Sequence, residues 1–137
     1  MKILGFGFTK ISLEKVKDTM ENLKINTGID VPEIKDLKTD LLKTKEQILG
    51  VKFIYTVKYE PGIADLEFKG SIVLSLEEKK AKEVLKGWKK KNLPDDFKTV
   101  LYNLIMKKSA IRAIQLEDEM NLPLHIPLPT LRLQNEK

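Results

Sequence analysis

The stretch VKFIYTVKYEPGIADLEFKGSIVLSL, residues 51–76, decides the fold. Apolar and aromatic residues alternate with Lys52, Ile54, Thr56 and Lys58 in a period of two, which is typical of a strand with one buried face. Pro and Gly at positions 61 and 62 then supply a turn, and the alternation resumes until residue 76. We therefore predict an antiparallel hairpin whose apolar face must be covered by other elements.

The residues before this hairpin are less regular. Residues 2–15 predict a first strand, loosened by two glycines. Residues 16–31 are ambiguous, because apolar residues at helical spacing are followed by the breaking sequence Asn26, Thr27 and Gly28. A second, interrupted strand is predicted after Pro32. Its apolar residues are Ile34, Leu37, Leu41 and Leu42.

Two helices are predicted after the hairpin. Ser75 and Glu78 have the spacing of a capping box and would open the first helix. Its apolar side consists of Ala81, Val84, Leu85 and Trp88. Pro94 would open a second helix that continues to about Met120, with a length of about 40 Å at ~1.5 Å per residue. One small sheet cannot cover all of its apolar residues, which are Phe97, Val100, Leu101, Leu104, Ile105, Ile111 and Ile114.

The sequence NLPLHIPLPTLRL, residues 121–133, follows the long helix and is here called the proline-rich segment. Its three prolines end the helix and favour an extended path over residues 122–130. Strands come first along the chain, helices second and the proline-rich segment last. This order predicts an α+β fold rather than an alternating doubly wound one.

Length and composition set further limits. A chain of 137 residues is long enough for one domain with its own core, so we predict a single domain over residues 1–137. No apolar run approaches the roughly 20 residues that cross a bilayer, and no secretory signal is visible, so we expect a cytoplasmic protein without membrane insertion. The absence of cysteine excludes disulfides, thiolate metal sites and a cysteine nucleophile.

The formal net charge of +5 raises the question of an acidic partner such as RNA. Residues 77–91 hold seven lysines against three glutamates, whereas the chain contains only two arginines. Because arginine is the preferred reader of phosphates and guanine edges, a solvated lysine-rich face fits this composition as well. The alternative is a nucleic-acid or ribosome contact. Its residues would be Lys79, Lys82, Lys86, Lys89 and Lys90.

Residues that could carry catalysis are few. His125 is the only histidine, and we interpret it as a half-exposed polar residue in an alternating segment. Glu117, Asp118 and Glu119 point in different directions around a helix, so we interpret them as solvated. Glycines 5 and 7 form no phosphate-binding motif. We therefore expect neither an enzyme nor a bound metal or cofactor.

The aromatic residues of the hairpin have two interpretations. Phe53, Tyr55 and Tyr59 lie beside lysines, an arrangement that is also found in platforms for single-stranded nucleic acid. However, the aromatic and the lysine side chains should face opposite sides of the sheet. Core or interface packing is the preferred interpretation.

The whole succession resembles the SecB-type protein-export chaperones. The resemblance rests on FTKISLEK (8–15), PEIKDLKTDLL (32–42), ILGVKFIYTVKYE (48–60), ADLEFKGSIVLSL (64–76), VLYNLIMKKSAIRAI (100–114) and MNLPLHIPLPTLRL (120–133). It implies a four-stranded antiparallel sheet backed by a long helix, and a homo-oligomer, either a dimer or a tetramer. The net positive charge differs from the acidic composition typical of that family.

The resemblance also implies a function. Proteins of this type hold unfolded polypeptide clients in an apolar groove without ATP, in the context of protein export. Transferred to this sequence, the groove would combine the proline-rich segment with one face of the sheet. Its residues would be Leu122, Leu124, Ile126, Leu128, Phe53, Tyr55 and Phe68.

Overall fold

The computed structural model describes residues 1–37 and 46–131. Within these ranges the chain forms strands β1 (Lys2–Lys15), β2 (Lys24–Asp36), β3 (Glu46–Glu60) and β4 (Ala64–Glu77), then helices α1 (Glu78–Lys89) and α2 (Asp95–Glu119). The strands make one antiparallel sheet in the order β1-β4-β3-β2. The predicted α+β class, the antiparallel sheet and the long second helix are confirmed.

The hairpin predicted from residues 51–76 is the centre of the sheet. Strands β3 and β4 pair with Tyr55 opposite Phe68, and Gly62 adopts the positive φ of +58° in the turn. Every second residue faces the core and is buried. These residues include Val51, Phe53, Tyr55, Val57, Tyr59, Leu66, Phe68, Ile72 and Leu74.

Strand β1 keeps its apolar residues on one face by means of two bulges. The register against β4 shifts between Ile3 and Gly5 and again between Phe8 and Lys10. Each bulge inserts one extra residue and so reverses which face the following residues point to. As a result, the rings of Phe6 and Phe8 and the side chain of Leu13 all pack against the core. The ring of Phe6 stacks on that of Phe53 with centroids 5.2 Å apart.

Strand β2 begins earlier than predicted. It starts at Lys24, eight residues before Pro32, and includes much of the segment whose sequence was ambiguous. Its pairing with β3 shifts register between Asp30 and Glu33, so that Pro32 lies in a bulge. A proline is tolerated there because no ladder hydrogen bond from its nitrogen is needed on an edge strand. Leu41 and Leu42, assigned to the same strand from sequence, lie outside the described residues.

The two helices cover the core face of the sheet. Helix α1 contacts β2, β3 and β4, and α2 contacts β2 and β3. The predicted capping box is wrong, because β4 continues to Glu77 and holds Ser75 buried within the sheet, so α1 begins without a side-chain cap. Neither helix has the combination of length and apolar composition that crossing a bilayer requires.

Candidate functional site

The described part of the proline-rich segment, residues 121–131, turns back from α2 onto the sheet. Asn121 takes a positive φ of +54°, which ends the helix. The backbone N–H of Leu122 then donates to the carbonyl of Glu117 at 2.9 Å, and the Leu122 side chain is buried. Further along, the hydroxyl of Tyr59 on β3 donates to the carbonyl of Pro123 at 2.6 Å. The segment therefore crosses the core face of β3, outside regular helix or strand.

A cluster of three polar side chains, Tyr55, His125 and Glu117, fixes this crossing. The His125 ring nitrogen Nδ1 lies 2.8 Å from Glu117 Oε1, and the His125 backbone N–H donates to the same oxygen at 3.1 Å. The Tyr55 hydroxyl lies 2.6 Å from Nε2 of the ring. Since a carboxylate oxygen accepts, Nδ1–H donates to Glu117 Oε1, and the second ring nitrogen shares a hydrogen bond with the Tyr55 hydroxyl. We call this arrangement the Tyr55–His125–Glu117 cluster.

The burial of this cluster corrects two interpretations made from sequence. The His125 side chain is only 1% exposed and that of Glu117 is 0% exposed, so neither is solvated. Asp118 and Glu119 are exposed, as expected. The inward face of α2 repeats every four residues, which places position 117 in line with the core. The buried residues at this spacing are Phe97, Leu101, Ile105, Ser109, Ala113 and Glu117.

The two tyrosines act as hydrogen-bond donors in this setting. Burial, together with the nearby charge of Glu117, raises the pKa of Tyr55 to about 12. The pKa of Tyr59 is also raised, mainly by burial and further by Glu117. Both phenols therefore keep their protons at neutral pH. The second carboxylate oxygen of Glu117 is buried and has no hydrogen-bond partner among the described residues.

The cluster fits a role in holding the chain rather than in chemistry on a substrate. Its side chains are closed off from solvent, and its hydrogen bonds connect α2, β3 and the proline-rich segment. Among residues 1–37 and 46–131, no group of three or more His, Asp or Glu side chains is arranged to hold a metal ion. What the cluster determines is the position of the apolar residues that follow His125.

The residues predicted for a client groove lie at different depths. Phe53, Tyr55 and Phe68 are at most 1% exposed, and Leu122 is also buried. Leu124 and Ile126 are half-buried, whereas Leu128 is 54% exposed. The proline-rich segment thus does lie against the sheet, through its contact with Tyr55. Of the predicted groove residues, only those of the proline-rich segment after Leu122 expose apolar surface to solvent, and those of the sheet do not.

Further apolar side chains are exposed on α2 and on β1. On α2 these are Val100, Met106 and Ile111, each at least 44% exposed. This agrees with the expectation that one small sheet cannot cover the long helix. The edge strand β1 and the residue after it also expose apolar side chains. They are Ile3, Leu4, Ile11 and Val16.

The predicted basic face is exposed but is mixed in charge. Lys79, Lys82, Lys86, Lys89 and Lys90 are all exposed. At the start of α1, Lys82 pairs with Glu78 at 3.2 Å. A shallow depression there is lined by Lys79 and Lys82 together with three glutamates. A second depression combines Lys86 and Lys90 with Glu83 and Asp95. Acidic groups therefore interrupt the row of lysines along much of its length.

An open pocket that the sequence did not reveal lies where α1, the α1–α2 turn, α2 and β2 meet. It has a volume of about 510 Å³ and is here called the Trp88 pocket. Its lining residues are Asp30, Val31, Pro32, Trp88, Lys89, Lys91, Leu93, Lys98 and Tyr102. The indole N–H donates to the carbonyl of Val31 at 3.4 Å, and the Lys98 ammonium lies 5.5 Å from the Tyr102 ring centroid. From sequence, Trp88 is predicted only to lie on the apolar side of a helix. The pocket itself is not predicted, because nothing in the sequence indicates that the bulge of β2 lies opposite Trp88.

Comparison with known proteins identifies the fold. The chain has a SecB-like fold. A similar solved structure is that of Rv1957 from Mycobacterium tuberculosis, a SecB-like chaperone in complex with a ChAD peptide from the antitoxin HigA1 (Rv1956). The TM-score is 0.52 at 10% sequence identity, over 97% of this chain and 92% of that one. No family model matches the sequence. No curated protein matches it either.

Proposed function

We propose that this protein binds unfolded or non-native polypeptide segments as a chaperone, without ATP, a metal or an enzymatic step. The observation that carries the proposal is the apolar surface left exposed on α2 and on the proline-rich segment. Val100, Ile111 and Leu128 are each more than half exposed. A large apolar side chain contributes about 1.5–3 kcal/mol when it is fully buried, so several of them together can hold a client reversibly.

The SecB-like fold supports this proposal. The similar protein from M. tuberculosis was solved with a peptide of another protein, so this fold is compatible with binding a peptide. In the present protein, we place the first client contacts on Leu124, Ile126 and Leu128. The sheet residues Phe53, Tyr55 and Phe68 of the predicted groove are covered, and in our proposal they reach a client only when the proline-rich segment moves away.

We further propose that the chain forms a homo-oligomer, a dimer or a tetramer, in the cytoplasm. The support is the edge strand β1, which is 14 residues long, borders β4 on one side only and exposes Ile3, Leu4 and Ile11. An uncovered strand edge with apolar side chains favours pairing with another chain. A second copy of β1 would satisfy both the backbone groups and the apolar surface. An export pathway is a finer proposal that rests on the family resemblance.

The nucleic-acid alternative remains a prediction with weaker support. A polyanion contacts a continuous positive track, and its affinity rises with the number of phosphates neutralised. The glutamates beside Lys79 and Lys82, and the carboxylates beside Lys86 and Lys90, break that track. The exposed apolar surface has no role in such a complex. These observations favour a polypeptide as the partner.

Aggregation of a chemically unfolded client, followed by light scattering, tests the proposal. We expect the wild-type protein to slow aggregation, and Ile111→Asp together with Leu128→Asp to reduce the protection severalfold. Both positions are exposed, so the variants should fold normally. Asn103→Asp and Thr130→Asp place the same charge at exposed polar positions of the same two segments and serve as matched controls. Full protection by folded Ile111→Asp/Leu128→Asp protein would refute the proposal.

A further inference from the structure

The Trp88 pocket combines an apolar interior with positive charge at its edge. Trp88, Leu93 and Tyr102 are half-buried and offer aromatic and aliphatic surface. Lys89, Lys91 and Lys98 also line the pocket, and all three are exposed. Its volume of about 510 Å³ falls in the ordinary range for binding pockets, which is about 300–1,000 Å³. The pocket therefore has room for one large side chain together with neighbouring backbone.

The lysines of the pocket differ from several others in the protein by lacking an internal partner. Lys80 pairs with Asp96 at 2.8 Å, and Lys52 pairs with Glu33 at 3.1 Å. Across residues 1–37 and 46–131, by contrast, no salt bridge involves any of the three pocket lysines. Asp30 is the single acidic residue of the pocket lining. The pocket thus presents an uncompensated positive charge to any ligand.

We propose that the Trp88 pocket selects client segments in which an aromatic or large aliphatic side chain is flanked by Asp or Glu. The apolar side chain packs against Trp88, Leu93 and Tyr102, and the flanking carboxylates lie beside the lysines. This selectivity rests on the proposed polypeptide-binding function and specifies which polypeptides it favours. It requires the lysines to contribute through charge and not only through their aliphatic stems.

The same features favour a peptide over a single-stranded nucleic acid in this pocket. The depression beside Lys86 and Lys90 contains two carboxylates, Glu83 and Asp95, so the positive charge of the pocket does not continue into a longer positive track. A nucleic-acid strand leaving the pocket would therefore meet negative charge within a few residues. A short acidic peptide needs only the pocket and its edge.

Intrinsic fluorescence gives a direct measurement, because Trp88 is the only tryptophan of the chain. The probes are peptides with a Leu-Phe-Leu centre flanked on each side by two residues that are Glu, Gln or Lys. Exposed lysine–carboxylate pairs are individually weak, so two or three of them together give roughly a tenfold preference for the Glu peptide over the Gln peptide. We expect that preference to shrink as salt is added.

Charge-removing variants separate the pocket from the rest of the surface. Lys91→Gln together with Lys98→Gln should remove most of the preference for the Glu peptide and leave the affinity for the Gln peptide unchanged. Lys107→Gln together with Lys108→Gln removes two exposed lysines of α2 that do not line the pocket, and should leave the preference intact.

The possible results distinguish this inference from the function on which it rests. Equal affinity for the three peptides, or a preference that survives Lys91→Gln/Lys98→Gln, would overturn the selectivity while leaving polypeptide binding in place. Tighter binding of a single-stranded RNA oligonucleotide, with the same change in Trp88 emission, would assign the pocket to nucleic acid and overturn it as well. If no peptide binds and no client is protected, the proposed function itself fails.

Discussion

The buried carboxylate of Glu117 offers the sharpest test of how the proline-rich segment is held. Glu117→Leu conserves most of the volume but removes the acceptor of two His125 donors, Nδ1–H and the backbone N–H. With the His125 side chain only 1% exposed, water cannot easily replace that acceptor. Each unsatisfied buried donor costs about 1–3 kcal/mol, part of which is offset by no longer burying a charge. We expect a net loss of about 3 kcal/mol.

That loss is large compared with the ~5–15 kcal/mol by which a domain is usually stable. For a chain of this size it corresponds to a decrease in Tm of about 10 °C. Circular dichroism during heating and urea titration measures both quantities. The matched control is Glu119→Leu, an exposed residue at the same helix end, for which we expect a change within about 0.5 kcal/mol.

A double-mutant cycle shows whether the loss comes from the pair. Glu117→Leu combined with His125→Leu removes the acceptor and the ring donor together, so the double variant should be less destabilised than the sum of the single variants. We expect a coupling of about 1–3 kcal/mol. A Glu117→Leu protein as stable as wild type, or additive single effects, would refute the assignment of this cluster as the anchor of the segment.

Three further changes test the packing of the sheet and helices. Between pH 10 and about 12 the midpoint of urea unfolding should fall, because the pKa of Tyr55 is raised from 10.0 to about 12 in the folded protein. The variant Tyr55→Phe should make that fall smaller. Gly70→Ala should destabilise by about 1–3 kcal/mol, because a Cβ there overlaps the Phe53 ring, whereas Gly5→Ala meets no atom within 4 Å. Gly87→Ala should destabilise despite the higher helix propensity of alanine, because its Cβ would lie 2.6 Å from a backbone oxygen five residues later.

Each of these three predictions states the direction in which stability should change, so each can be contradicted by experiment. A raised pKa contributes stability that is complete below the unfolded value and is lost as the pH rises through the folded one, so an unchanged alkaline midpoint would contradict the burial of the Tyr55 phenol. Gly70→Ala and Gly5→Ala with equal stabilities would contradict the packing of Phe53 over β4. A gain in stability from Gly87→Ala would contradict the close approach of the α1–α2 turn.

The central hairpin could be predicted from sequence because its period of two is uninterrupted. Strand β1 can also be predicted from sequence, but the local pattern does not explain why its apolar residues are unevenly spaced. The bulges near Leu4 and Thr9 are defined by pairing with β4, and pairing partners are not written in a local pattern. The start of β2 was missed for the same reason. In the sequence of β2 alone, Pro32 indicates the start of a strand. In the sheet, the bulge between Asp30 and Glu33 lets the strand continue through this proline.

The polar residues of the candidate site have types that predict exposure, whereas their positions in the fold place them in the core. Glu117 continues the inward four-residue spacing of α2, and that spacing was a usable signal. The burial of His125 could not be predicted in the same way, since its contact with Tyr55 joins residues 70 positions apart in the chain. The Trp88 pocket likewise depends on the meeting of elements that are distant in sequence. Local patterns determine the elements here, and tertiary contacts determine the site.

Intermolecular nuclear Overhauser effects between methyl-labelled protein and a permanently unfolded client test the central claim most directly. Binding through the surplus apolar surface predicts cross-peaks from the client to the methyl groups of Val100, Ile111 and Leu128. It predicts none to Val84, which lies on the inward face of α1 and is fully buried. If the protein is saturated with bound client and no cross-peak reaches these exposed methyl groups, the claim is contradicted.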